Sequence, residues 1–209
     1  MHEAEEASRF VREAGFLAQL THPAIVRYVA HGITAEGRPF LAMEWLEGED
    51  LAARLARGRL GVDEAVGLGV AVADALGWAH ARGIVHRDVK PANLLLAAGD
   101  PRDPRLLDFG IARLRGHRSL TRTGAAIGSP GYMAPEQYTG AAVDRRVDIF
   151  AAGVLLYKLL SGVTPFTGSD EAIMYQIVYG QHGRLSLRGA DASLAVFDAI
   201  IDSALAKLP

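Results

Sequence analysis

The sequence contains no cysteine. That excludes disulfides, a thiol nucleophile and any thiolate metal site, and it suits a reducing interior. Lysine is almost as scarce: Lys90, Lys158 and Lys207 stand alone, so nearly all the cationic charge is arginine. Long apolar runs are missing as well. The longest, residues 65–73 and 149–157, reach about nine residues, far short of the ~20 a membrane-spanning helix needs. The opening "MHEAEEASRF" is acidic and has no apolar stretch of the signal-peptide kind, so a cytoplasmic location is expected. Charge of one sign is not in excess either. A formal net charge of −2 argues against a general binder of nucleic acid or anionic membrane. The arginine-rich run 102–122 has no interleaved aromatics, so it reads as a phosphate pocket or a solvated loop rather than a nucleic-acid surface. The histidines are scattered without H-E-x-x-H or comparable spacing, and no transition-metal site is expected.

What is present is an ordinary globular composition: 209 residues, half of them hydrophobic and 22% charged, enough for one large domain or two small ones. Residues 3–20 have helical spacing, with Phe10, Ala14, Leu17 and Ala18 on one face. "THPAIVRYVAHG" and "RPFLAMEWL" read as two strands around the turn "GITAEGR". A helix should begin near Asp50. "VDEAVGLGVAVADALGWAHARG" is the clearest helix, with Asp63 as its expected cap and Gly83 as its stop. "NLLL" and "RLLDFG" are short strand candidates, 111–129 is polar and loop-like, and helices are expected over 147–161, 170–182 and 192–207. The order is strand-bearing front and helical rear, an α+β arrangement.

Chemistry concentrates in "IVHRDVKPANLLL", residues 84–96. His86, Arg87, Asp88 and Lys90 fall within five residues and Asn93 follows, a density of charge that a plain turn does not need. Asp108 closes an apolar strand before Phe109 and Gly110. An aspartate and an asparagine amide are hard oxygen ligands suited to Mg²⁺ shared with phosphate oxygens. A second carboxylate left free of metal can orient a hydroxyl and accept its proton. Lys90 can steady a migrating phosphoryl group as a point charge. Phosphoryl transfer asks mainly for positioning and charge neutralisation, and this set supplies both.

"HRDVKPAN", "DFG" and "APE" at 134–136 occur in that order, and with "GSPGYMAPEQ" and "DIFAAGVLLYKLLSGVTPF" the chain resembles a eukaryotic-type Ser/Thr protein kinase catalytic domain of the bacterial kind. The resemblance covers essentially the whole chain. It implies a protein-kinase-like α+β fold, with a partial N-lobe and hinge over 1–46 and a mostly helical C-lobe over 47–209. It implies ATP and Mg²⁺ as cofactors and a protein with a serine or threonine acceptor as substrate. By the same resemblance Asp88 would be the catalytic base, Lys90 would contact the γ-phosphate, and Asn93 and Asp108 would hold the metal. Met43 would be the gatekeeper, and the backbone of Glu44 and Leu46 would bind adenine. Glu13 matches the C-helix glutamate. Leu17, Tyr28, His86 and Phe109 would stack as a spine. Asp148 would hold the catalytic-loop backbone, and Ser129 would face the acceptor hydroxyl. Thr121 and Thr123 resemble phosphorylated threonines, with Arg87 as the cation their phosphates would meet.

Two parts of the family pattern are missing. No glycine-rich phosphate loop exists; "GLGVAV" at 67–72 lacks the third glycine and lies inside an expected helix. No lysine precedes Lys90 to pair with Glu13. "IDSALAKLP" resembles the helix before the family's final arginine-bearing segment, the usual partner of Glu136. The chain is therefore expected to be a kinase domain truncated at both ends, its N-lobe reduced to the C helix and two strands, with weak ATP binding, slow transfer and exposed apolar surface on the 3–20 helix. The alternative is a non-catalytic, pseudokinase-like binding module. A small-molecule kinase of the aminoglycoside type also uses an Asp–Asn–Asp set, but "GSPGYMAPEQ" speaks for a peptide platform.

Overall fold

The structure, a computed structural model, describes residues 10–11, 14–15, 17–109, 129–187 and 192–207. Glu13, Thr121 and Thr123 lie outside the described residues. Phe10, Val11, Ala14, Gly15 and Leu17 are helical; Ala14 and Leu17 are buried, whereas Val11 is exposed.

Strand β1 (Tyr28–Ile33) pairs antiparallel with β2 (Pro39–Met43), placing Tyr28 opposite Met43. The strand expected from Thr21 onward starts only at Tyr28, because the chain ahead of it bonds elsewhere. Val26 N–H donates to Leu106 O at 3.1 Å and Leu106 N–H to Ala24 O at 2.8 Å, which ties this stretch to a strand far along the sequence. That partner belongs to a second sheet of β3 (Gly48–Asp50), β4 (Leu94–Ala97) and β5 (Pro104–Leu106), antiparallel in the order β3-β4-β5. At Gly48 a side chain is impossible: with φ at +154°, a Cβ would fall 2.0 Å from the Leu96 carbonyl oxygen. Only glycine lets β3 approach β4 this closely.

Helix α1 (Leu51–Ala56) begins where expected, Asp50 Oδ1 accepting Ala53 N–H at 2.8 Å. Helix α2 (Val62–His80) is capped by Gly61 rather than Asp63. Gly61 has extended backbone, and Glu64 reaches back to accept its N–H at 3.0 Å, which leaves Asp63 in the first turn, where its charge complements the helix dipole. The helix stops ahead of Gly83, whose φ of +73° only glycine adopts cheaply. "GLGVAV" lies inside α2.

Three more helices follow: α3 (Pro135–Thr139), α4 (Arg146–Ser161) and α5 (Asp170–Tyr179). Helix α5 ends before residue 182 because Gly180 turns extended. The helix expected over 192–207 divides into 3₁₀ turns at Ala192–Phe197 and α6 (Asp198–Ala204). Asp198 sits at that junction, and its carboxylate accepts Leu185 N–H at 2.9 Å and the Ser186 hydroxyl at 2.6 Å, so the chain is tied down where a continuous helix would need it free.

The core is the contact of α2 with α4, which α6 extends. Leu68, Val72, Leu76 and Ala79 are buried on α2, as are Val147, Phe150, Val154 and Leu155 on α4. Helix α4 lies so close to α6 that a Cβ on Gly153 would sit 2.7 Å from that of Ala204. At about 1.5–3 kcal/mol for each fully buried large aliphatic or Phe side chain, these helices form the firm base from which the polar loop 84–93 projects.

Candidate active site

The loop between α2 and β4 is pinned by apolar residues and presents polar ones. Val89 and Pro91 are buried, whereas Asp88 and Lys90 keep about a third and a fifth of their side chains exposed. Arg87 has φ +71°, a left-handed conformation that costs a non-glycine residue roughly 1–2 kcal/mol. The surroundings impose it. Fully buried Asp148, in the first turn of α4, accepts His86 N–H on Oδ2 at 2.8 Å and Arg87 N–H on Oδ1 at 2.7 Å. His80, at the end of α2, closes the set from the other side, its Nε2 2.7 Å from Asp148 Oδ2.

His86 is the second support. Asp88 N–H points at its Nδ1 at 3.2 Å, and Leu107 O lies 2.8 Å from its Nε2. An amide can only donate and a carbonyl only accept, so the ring is the Nε2–H tautomer. Burial pushes its pKa below the ordinary histidine value, against the opposing pull of Asp148. The ring also packs on Phe109, centroids 4.6 Å apart.

Asp88 is held in turn. Lys90 Nζ donates to its Oδ2 at 2.7 Å, and Asn93 Nδ2 donates both to that oxygen at 2.9 Å and to Asp88 O at 2.8 Å. Asp88 Oδ1 has no bond among the described residues. Asn93 is tied onward to the strand carrying the other carboxylate, since Leu107 N–H donates to Asn93 O at 2.9 Å. Asp108 follows with φ +59°, the second left-handed non-glycine residue of the site. It lies near Tyr28, whose phenol is pushed well up by burial and further by the Asp108 carboxylate. Leu17, Tyr28, His86 and Phe109 are all buried.

After β2 the chain crosses to the helical body. Glu44 N–H donates to Arg27 O at 2.9 Å, and its carboxylate accepts Arg27 N–H at 2.7 Å. The Leu46 N–H has no backbone acceptor among the described residues, and Met43 is partly exposed on the ribbon edge. Ser129 leads into a 3₁₀ turn at Pro130–Tyr132 and then α3. The site therefore brings Asp88, Lys90, Asn93 and His86 into one hydrogen-bonded cluster with Asp108 adjoining. Two contributors escape sequence reading. His80 meets Asp148 from 68 residues away and Gln137 meets the Arg87 carbonyl from 50 away, and neither stands in a pattern that announces a partner.

A family model described as the protein kinase domain matches residues 1–204. The DNA damage-responsive serine/threonine-protein kinase RqkA of Deinococcus radiodurans is 42% identical over 185 residues, covering 83% of this chain and 26% of that protein. Serine/threonine-protein kinase PknJ of Mycobacterium tuberculosis is 39% identical over 207 residues, covering 97% of this chain and 35% of its own. Among solved structures, a crystal structure of Rad53 in complex with AMP-PNP superposes with a TM-score of 0.75 at 28% identity, covering 95% of this chain and 50% of that one. Fold and site thus define an α+β chain of the protein-kinase type. The chain belongs to the protein kinase domain family, and its curated bacterial relatives are serine/threonine kinases. It spans about a quarter to a third of the length of those relatives.

Proposed function

We propose that this chain transfers the terminal phosphoryl group of ATP to serine or threonine hydroxyls of a protein substrate. The observation that carries the reading is the state of Asp88: one carboxylate oxygen is bound by Lys90 and Asn93, and the other has no bond among the described residues. An oriented carboxylate with one free oxygen can hold an incoming hydroxyl and accept its proton. Lys90, next to it, offsets charge on the migrating group.

The residues present fit a magnesium–nucleotide complex. With Nδ2 of Asn93 spent on Asp88, its Oδ1 remains as a hard donor, and Asp108 supplies a carboxylate. Mg²⁺ takes one or two such protein oxygens and completes its shell with phosphate and water. Bound there, Mg²⁺–ATP supplies the phosphoryl group and neutralises its oxygens. The Glu44 carbonyl and Leu46 N–H suit the edge of adenine, because the Glu44 N–H is already used by Arg27. Met43 would back the adenine pocket. Ser129 would stand at the acceptor, Glu13 would act from the C helix, and phosphorylated Thr121 and Thr123 would meet Arg87. Residues 1–46 would form the N-lobe and hinge and 47–209 the C-lobe. Among the described residues no helix is long and apolar enough to cross a membrane, and a cytoplasmic site of action is part of the proposal.

One observation favours a second reading, a binding module without turnover: no lysine precedes Lys90 in the sequence to hold the nucleotide phosphates. Incorporation of radiolabelled phosphate into a Ser/Thr peptide, with and without Asp88→Asn, decides between them. Transfer by the wild-type chain that falls about 10²–10⁴-fold in the variant supports the kinase. Equal signals from both, at background, support the binding module.

A further inference from the structure

Five hydrogen bonds fix the peptide units on either side of Asp88. Asp148 holds the His86 and Arg87 N–H groups, His86 Nδ1 holds the Asp88 N–H, Asn93 Nδ2 holds the Asp88 carbonyl, and Gln137 Nε2 donates to the Arg87 carbonyl at 3.3 Å. The first four anchors lie in the helical body or in the loop itself. Gln137 alone among these anchors stands on α3, at the end of the segment that runs from Ser129 through "PGYMAP".

The orientation of the Gln137 amide follows from its other bond. Its Oε1 accepts Ala134 N–H at 2.8 Å, capping the first turn of α3. An amide N–H cannot accept, so the atom facing Ala134 must be the oxygen, and the NH₂ group faces the Arg87 carbonyl. One side chain thus closes its own helix with the oxygen and grips the catalytic loop with the nitrogen. The residue it grips is the left-handed Arg87, whose strained conformation depends on what surrounds it.

We infer that Gln137 is a positioning residue: it couples the order of the acceptor-side segment 129–139 to the orientation of the Arg87–Asp88 peptide, and through that peptide to the Asp88 carboxylate. This rests on Asp88 as the proton acceptor. When segment 129–139 is in place, the Arg87 carbonyl has its donor and the Asp88 carboxylate is aimed. When the segment moves, that carbonyl loses its donor and the loop loosens while Asp148 still holds it from behind.

Two variants of the full 209-residue chain test this. Gln137→Glu keeps an oxygen for Ala134 N–H and loses the donor to Arg87. Gln137→Met keeps the size and loses both bonds. In Gln137→Glu we expect an unchanged urea unfolding midpoint and amide exchange about tenfold faster in peptides covering 84–93. Phosphate transfer should fall about tenfold in kcat with KM for ATP unchanged. Gln137→Met should show the same faster exchange together with a lower midpoint. Wild-type protection of 84–93 in Gln137→Glu overturns the inference. So does acceleration spread evenly over α2 and α4, or failure of both variants to fold, since Gln137 is then only a helix cap. If the wild-type chain transfers no phosphate and Gln137→Glu still loosens 84–93 selectively, the kinase reading fails and the positioning role stands.

Discussion

Asp148 and His80 meet at 2.7 Å inside the helical body, and the Asp148 oxygens simultaneously hold two consecutive N–H groups of the catalytic loop. A single buried carboxylate on α4 therefore sets the loop against the end of α2. The charge is tolerated because every donor around it is used.

Replacing Asp148 with alanine leaves two buried N–H groups and the His80 ring without their acceptor. At about 1–3 kcal/mol for each unsatisfied buried group, the unfolding free energy should fall by about 3 kcal/mol or more. Asp148→Asn retains one acceptor oxygen and should fall by roughly half as much. Urea unfolding followed by circular dichroism checks both; an alanine variant as stable as wild type refutes the assignment.

Asn93→Asp preserves size and an oxygen ligand but removes both N–H donors and sets a second carboxylate against Asp88. Like charges at this distance raise carboxylate pKa values. Phosphate transfer should fall about 10²-fold, and the acid limb of its pH profile should move upward. A rate loss without that movement would mean that Asn93 acts only through metal.

The depressed pKa of His86 makes a statement about acid stability. Its folded-state pKa lies below the unfolded value of about 6.5. As pH falls below about 6.5 the unfolded chain takes up the proton first, so the stability present above that pH is lost progressively. Unfolding free energies measured from pH 8 to pH 5 should decline more steeply for wild type than for His86→Gln. Parallel curves would show that another group governs the acid limb.

Much of the fold was legible because its signals are local. The apolar spacing expected over 62–83 and 147–161, the helix start near Asp50 and the stop at Gly83 act within a few residues of themselves, and the structure has helices at Val62–His80 and Arg146–Ser161, a helix start at Leu51 and a left-handed Gly83. The errors arose where a distant partner outbid a local preference. Ala24–Val26 reads as the start of a strand with β2, yet its bonds go to Leu106. Residues 192–197 read as helix, yet the bonds of Asp198 to Leu185 and Ser186 hold the junction apart. Gly61, with no side-chain acceptor of its own, hides its capping role in Glu64.

The sequence alone determined the inventory of the site: an aspartate, a lysine and an asparagine on one turn and a second aspartate twenty residues on, in a chain without cysteine and nearly without lysine. Tertiary structure decided how that inventory is aimed. Arg87 and Asp108 both adopt left-handed backbone that their own residue types disfavour. No local code specifies such a conformation; for Arg87 it holds because Asp148 from α4 and Gln137 from α3 supply partners to its backbone groups from fifty or more residues away.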